Sequence, residues 1–108
     1  MKFSHYQKEA KKTAIYPKEK ALSYLPLGLV GESGEVAEIF KKIIRDEDGK
    51  ISESRKEELK KEMGDILWYI SSLSTELNID LEEVAKENIE KLSSRKKRNK
   101  LSGSGNNR

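Results

Sequence analysis

The sequence predicts an all-α fold, a four-helix bundle formed by a single domain of 108 residues. Three observations carry this. Apolar residues recur at alternating steps of three and four, the period that gathers them on one face of an α-helix. The breaks between these stripes hold helix stops and starts, and no segment reads convincingly as a strand. Hydrophobic residues make up 34% of the chain against 38% charged, a balance that suits thin amphipathic helices completing their core against another subunit. A homodimer or homotetramer is therefore expected.

The elements follow in order. Phe3, Tyr6, Ala10 and Ala14 define a short first helix over about residues 3 to 15, which Pro17 ends. Pro26 fits the first turn of a second helix better than its interior. Leu29, Val36, Phe40 and Ile43 form that helix's stripe, and Asp46-Glu47-Asp48-Gly49 closes it in a turn. Ser54 with Glu57 reads as the capping box of a third helix, whose stripe is Leu59, Met63, Ile66, Ile70, Leu73 and Leu77. Asp80 with Glu83 caps a fourth helix, continued by Val84, Ala85, Ile89 and Leu92 to about residue 97. Residues 98–108, basic and then rich in Gly and Ser, read as a flexible tail.

Composition narrows the chemistry. Without cysteine there is no disulfide, thiolate metal site or cysteine nucleophile. His5 is the only histidine, which disfavours histidine metal clusters and a Ser-His-Asp triad. No signal-peptide pattern opens the chain, and no apolar run approaches the ~20 residues of a spanning helix, so a soluble, cytoplasmic protein is expected. The net charge of +3 hides an asymmetry: acidic residues crowd positions 32–87, while Lys91, Arg95, Lys96, Lys97, Arg98, Lys100 and Arg108 crowd the end. Net charge alone implies no nucleic-acid partner.

Two acidic pairs stand out, Glu32 with Glu35 and Glu62 with Asp65. Spacing of i,i+3 sets both carboxylates of a pair on one helix face. Glu58, Glu62, Asp65 and Tyr69 follow the rhythm of the third helix's stripe, displaced by one residue, and so border its buried seam. If the second and third helices pack together, four carboxylates converge. Such a cluster repels itself without cations, and oxygen-only ligands suit a hard ion such as Mg2+ or Mn2+. Metal-assisted chemistry on a phosphate substrate follows. The plain alternative is solvated carboxylates balancing nearby lysines. Gly28, Gly31, Gly34 and Gly64 interrupt these same helices, each costing roughly 1 kcal/mol relative to Ala; close approach of a second helix or of a ligand would account for them. They do not form a dinucleotide fingerprint, and Gly49-Lys50-Ile51 is not a P-loop.

The segments Gly28-Leu-Val-Gly-Glu-Ser-Gly-Glu-Val-Ala-Glu38, Glu62-Met-Gly-Asp-Ile-Leu-Trp-Tyr69 and Asn78-Ile-Asp-Leu81 resemble the MazG-like all-α nucleoside triphosphate pyrophosphohydrolases, over roughly residues 22–108. The ending resembles the short single-domain members, phage-type ones included, in which the position of Asn106 often reads as Asp. The resemblance implies hydrolysis of a ribo- or deoxyribonucleoside triphosphate to the monophosphate and pyrophosphate, for nucleotide-pool sanitation or control. It implies Mg2+ held by Glu32, Glu35, Glu62 and Asp65, with Glu35 and Glu38 as candidate catalytic carboxylates that ligate or orient water. It also nominates Tyr69, Asn88 and Lys91 near the nucleotide. Arg95, four residues after Lys91, can present a second cation to the pyrophosphate, or can simply be a solvated helix end favoured by the dipole.

Two other classes stay open. A basic helical module could bind nucleic acid through Lys96, Lys97, Arg98 and Lys100, with strongly salt-dependent affinity. A purely structural helical oligomer would keep the apolar stripes and need no metal.

Overall fold

A computed structural model describes all 108 residues and is all-helical. Its elements are α1 (Phe3–Lys11), a 3₁₀ turn (Lys18–Lys20), α2 (Ala21–Asp46), α3 (Glu53–Glu76) and α4 (Leu81–Lys97). Helix α1 stops sooner than its apolar spacing predicts. The amides of Lys12, Thr13 and Ala14 reach carbonyls only three residues back, and the Thr13 hydroxyl donates to the Ala10 carbonyl at 2.9 Å. That hydroxyl also accepts from Trp68 Nε1 at 2.8 Å, so the helix end is fastened to α3. Gln7 ties α1 to the far end of the same helix: its amide donates to Thr75 Oγ1 and the Ile79 carbonyl and accepts from the Leu81 amide.

Pro26 lies inside α2 and not in its first turn. A proline there removes one helical hydrogen bond and crowds the preceding turn, about 3 kcal/mol in an exposed helix. Burial decides otherwise. Ala21 and Leu25, the first turns of α2, are buried with Tyr16 against Trp68, Tyr69 and Leu73, and this extends the helix upstream past the proline. At the other end Asp48 and Gly49 take left-handed backbone angles (φ 55° and 73°), and the amides of Glu47 and Gly49 both close on the Ile43 carbonyl.

The cap of α3 is Ser52, whose hydroxyl accepts from the Arg55 amide at 3.1 Å, and not Ser54. Starting the helix there lets Arg55 reach back to Glu47 at 2.7 Å and forward to Glu58 at 3.2 Å, which clamps the α2–α3 turn. Asp80 caps α4 as expected, accepting from the Glu82 amide at 2.9 Å.

Helices α2 and α3 form an antiparallel hairpin. The start of α2 meets the end of α3 in the cluster around Leu25, and the end of α2 meets the start of α3 in a second cluster of Ile39, Ile43 and Leu59, with Val36 beside it. Helix α1 packs on α3 and α4, while α4 makes no contact with α2. The molecule is consequently open. Its accessible surface is 8106 Å², against about 6,100 Å² for a compact monomer of this mass. Its radius of gyration is 16.8 Å, against about 13 Å.

Candidate metal centre

Between the two apolar clusters of the hairpin the seam turns acidic. Along α2 the inward positions run Ala21, Leu25, Gly28, Glu32, Val36, Ile39 and Ile43; along α3 they run Leu59, Glu62, Tyr69 and Leu73. Glu32 and Glu62 thus take places that an ordinary hairpin would fill with Leu or Ile. Asp65, one turn after Glu62, completes the group, and one carboxylate oxygen from each of the three lies within 4.8 Å of the others. Glu32 and Glu62 are partly buried and Asp65 is exposed, so the cluster opens to solvent on one side.

Three carboxylates so close cannot all carry full charge. The Glu32 carboxyl is pushed up to about 7, first by its hydrogen bond with Glu62, then by burial and by the charges of Asp65, Glu62 and Glu35. Crowding of like charge therefore acts mainly on Glu32. This donor set, oxygen only and drawn from two rigid helices, fits a hard divalent ion.

The floor beside the cluster is aromatic. A methyl group on Gly28 would overlap the Tyr69 ring, so this glycine is what lets the ring lie against the α2 backbone one turn before Glu32. Burial, then the neighbouring Tyr24 and Glu32, raise the Tyr69 hydroxyl above its usual range. Gly31, Gly34 and Gly64 have no atom near the place a methyl would take, so close helix approach within the chain explains only Gly28.

The sequence was compared with known families and proteins. The model of the MazG nucleotide pyrophosphohydrolase domain matches residues 20–99. This chain belongs to the MazG family. The Gene 37 protein of Mycobacterium phage L5 is 45% identical over 109 aligned positions, covering 95% of this chain and 96% of that protein. No solved structure matches. The matched segment of the MazG domain spans both acidic pairs and α4, and stops short of residues 100–108.

Not every residue singled out in this MazG domain joins the cluster. Glu35 is exposed, close enough for its charge to act on Glu32 but outside the three-carboxylate group. Glu38 is engaged by Lys41 at 2.9 Å, which holds its carboxyl below the usual range. Asn88 and Lys91 line a separate open cavity with Ile79, Val84 and Glu87. Arg95 is buried beneath the C-terminal residues, which turn back over α4. Within one chain, the four proposed substrate contacts therefore divide into Tyr69 at the cluster and Asn88, Lys91 and Arg95 on α4.

Two tyrosines near the site are not among the site residues the sequence nominates. Tyr6 of α1 is partly buried, and burial followed by the charge of Asp65 raises its hydroxyl above the usual range. Tyr24 stacks on Tyr16 with ring centroids 5.7 Å apart and adjoins Tyr69. Neither has a local spacing that links it to the acidic pairs; only tertiary packing brings them there. Elsewhere, no helix is long and apolar enough to cross a membrane.

Proposed function

We propose that this MazG domain hydrolyses a nucleoside triphosphate, ribo- or deoxyribo-, to the monophosphate and pyrophosphate, with Mg2+ (or Mn2+) held by Glu32, Glu62 and Asp65 and with Glu35 beside them. The observation that supports it most is the convergence of three carboxylates inside a helical seam, crowded enough to raise the Glu32 carboxyl. A divalent ion held by these carboxylates would offset the negative charge of phosphate oxygens and make water a better nucleophile. Glu35, exposed at the rim, would be the base that takes a proton from the attacking water. Glu38, paired with Lys41, is a further ligand or a base that orients water. Tyr69 forms the wall on which the nucleotide rests, and Asn88 and Lys91 supply an amide and a cation for its phosphates.

The open shape supports a homodimer or homotetramer. Leu27, Val30, Gly34, Ala37, Lys41 and Ile44 recur at three-four steps along the outer face of α2 and are all exposed, which is the pattern of a helix seam without its partner. A second subunit on this face would cover the stripe, and Asn88 and Lys91, which within one chain line a separate cavity, would have to reach the nucleotide from another subunit. Val30→Glu should then yield monomers in light scattering, with activity falling in step; a variant of unchanged mass would remove this face from the assembly. On this reading the protein works in the cytoplasm, on the nucleotide pool.

The decisive assay is pyrophosphate release from a panel of nucleoside triphosphates, with Mg2+ and with chelator. Glu62→Gln should lower turnover more than ~100-fold, the upper end of what loss of a mere outer-shell partner costs, with helix content unchanged. Glu35→Gln should lower turnover while Mn2+ affinity changes less. Turnover in chelator, or in Glu62→Gln, would overturn the metal assignment.

A further inference from the structure

Helix α1 precedes the matched part of the MazG domain, which begins at residue 20, yet its place in the fold ties it to the acidic cluster. Phe3 lines a groove with Met63, Gly64, Ile66 and Leu67, Thr13 accepts from Trp68, and Gln7 donates to Thr75. The helix therefore lies across α3 with its first turn beside the segment that holds Asp65. Helices α1 and α2 both pack on α3 and make no contact with each other. Asp65 serves both sides. Its carboxylate joins Glu32 of α2 and Glu62, and its charge acts on the hydroxyl of Tyr6 in α1. Asp65 is also the exposed member of the cluster, so the side on which the cluster opens is the side that α1 borders.

Phe3, Tyr6 and Ala10 follow one another at three-four steps, which places them on one face of α1; Ala10 is buried and Tyr6 partly so. A phenylalanine would serve that face equally well, and the Tyr6 hydroxyl has no structural task to explain it. The Tyr16 hydroxyl, by contrast, donates to Glu76, which Lys18 also holds at 3.1 Å. On the Tyr6 hydroxyl only burial and the charge of Asp65 act, with no hydrogen-bond partner in the chain. A hydroxyl drawn partly out of water without a partner costs stability. The residue type also suits the place. Beside Asp65 a lysine would be held in an ion pair and a carboxylate would repel an anion, whereas a phenol is a neutral donor at neutral pH.

We propose that Tyr6 is a substrate-binding residue of the acidic site, its hydroxyl donating a hydrogen bond to a phosphate oxygen of a nucleotide held at the mouth of the cluster. The inference rests on the hydrolysis reading above and adds to it a donor from a helix outside the matched domain.

The test is Tyr6→Phe, which keeps the ring and removes only the hydroxyl. Calorimetric titration with Mg2+ and the α,β-methylene analogues of a panel of nucleoside triphosphates reads binding without turnover. The best-bound analogue should bind about tenfold or more weakly to Tyr6→Phe, the effect of losing one hydrogen bond to a charged group. KM for the matching natural nucleotide should rise by a similar factor with kcat changed less, and Tm and Mn2+ affinity should stay as in the unmutated chain. On the unmutated chain, the NMR signals of the Tyr6 ring should move when the analogue is added and stay in place with the free nucleoside. Weaker analogue binding in Tyr6→Phe without turnover of any natural nucleotide would support the Tyr6 contact and sink the hydrolysis reading. Equal binding by both chains, with turnover intact, would overturn the Tyr6 contact alone. A Tyr6→Phe chain that loses Mn2+ affinity or Tm to the same degree would make the residue a support of the fold or of the carboxylates, and ring signals that move with the nucleoside would place it at the sugar or base; either result overturns the phosphate contact. Failure of every analogue to bind the unmutated chain would remove both readings.

Discussion

The two ends of the α2–α3 seam and its middle obey opposite rules. At the ends, Leu25 and Ile43 are fully buried among apolar neighbours. In the middle, Glu32 and Glu62 occupy the corresponding inward positions and destabilise the hairpin by facing each other. Two apolar clamps with a repulsive gap between them keep the helices parallel enough for three carboxylates to stay within one ion's reach. Stability is therefore concentrated away from the candidate site, and the carboxylates sit where stability is lost, the usual opposition at functional sites.

The sharpest way to break the comparison is to remove a clamp. Leu25→Ala should cost 2–5 kcal/mol, the range for a buried Leu→Ala change, read by urea denaturation of the metal-free protein. The folded fraction should still bind Mn2+, since Leu25 touches none of the carboxylates. A loss below about 1 kcal/mol would mean that the partner subunit, and not this cluster, holds the end of the hairpin.

The glycines sharpen it further, because two of them should respond with opposite sign. Gly28→Ala pushes a methyl into the Tyr69 ring and should destabilise by about 1–3 kcal/mol, as overpacking does, despite the gain in helix propensity. Gly31→Ala meets open space and should stabilise the isolated chain by up to about 1 kcal/mol. If thermal melts show Gly31→Ala destabilising too, something outside the chain, a second subunit or a ligand, approaches that face.

How much of this was legible in the sequence depended on how local the cause was. The i,i+3 acidic pairs and the one-residue displacement from the third helix's stripe anticipated Glu32, Glu62 and Asp65 as neighbours, because helical periodicity alone places them. The Asp80 cap and the end of α4 were local as well. Ser54-x-x-Glu57 satisfied the capping pattern, yet Ser52 won, because starting there lets Arg55 bridge Glu47 and Glu58. Pro26 was set by burial of Ala21 and Leu25, which no window around the proline reveals. The apolar stripe of α3 is present, but only part of it packs within the chain, in keeping with helices that complete their core against another subunit. Met63 and Leu77 are exposed, and Phe3, Met63, Ile66, Leu67 and Ile70 instead line an open groove of about 550 Å³. Of the two readings open for Arg95, the solvated helix end fails because its cover, residues 98–108, has the composition of a tail yet folds over α4.

The smallest expected effect is the most specific to the middle of the seam. In the folded protein the Glu32 carboxyl holds its proton up to about 7, against the usual 4.5. Between those values the folded chain binds more protons than the unfolded one, so the stability that this proton confers is complete below about pH 4.5 and is lost as pH rises through 7. Glu9, Glu38, Asp46 and Glu76, whose carboxyls are held low by Lys12, Lys41, Arg45 and Tyr16 respectively, act in the other direction but only at more acid pH. The Tm of the metal-free protein should accordingly fall from pH 5 to pH 8, and Glu32→Gln, which cannot ionise, should flatten that slope. Saturating Mg2+ should flatten it as well, by displacing the proton and holding the carboxylates in place. A metal-free Tm that stays level over this range in the wild-type chain would mean that Glu32 and Glu62 do not face each other in solution.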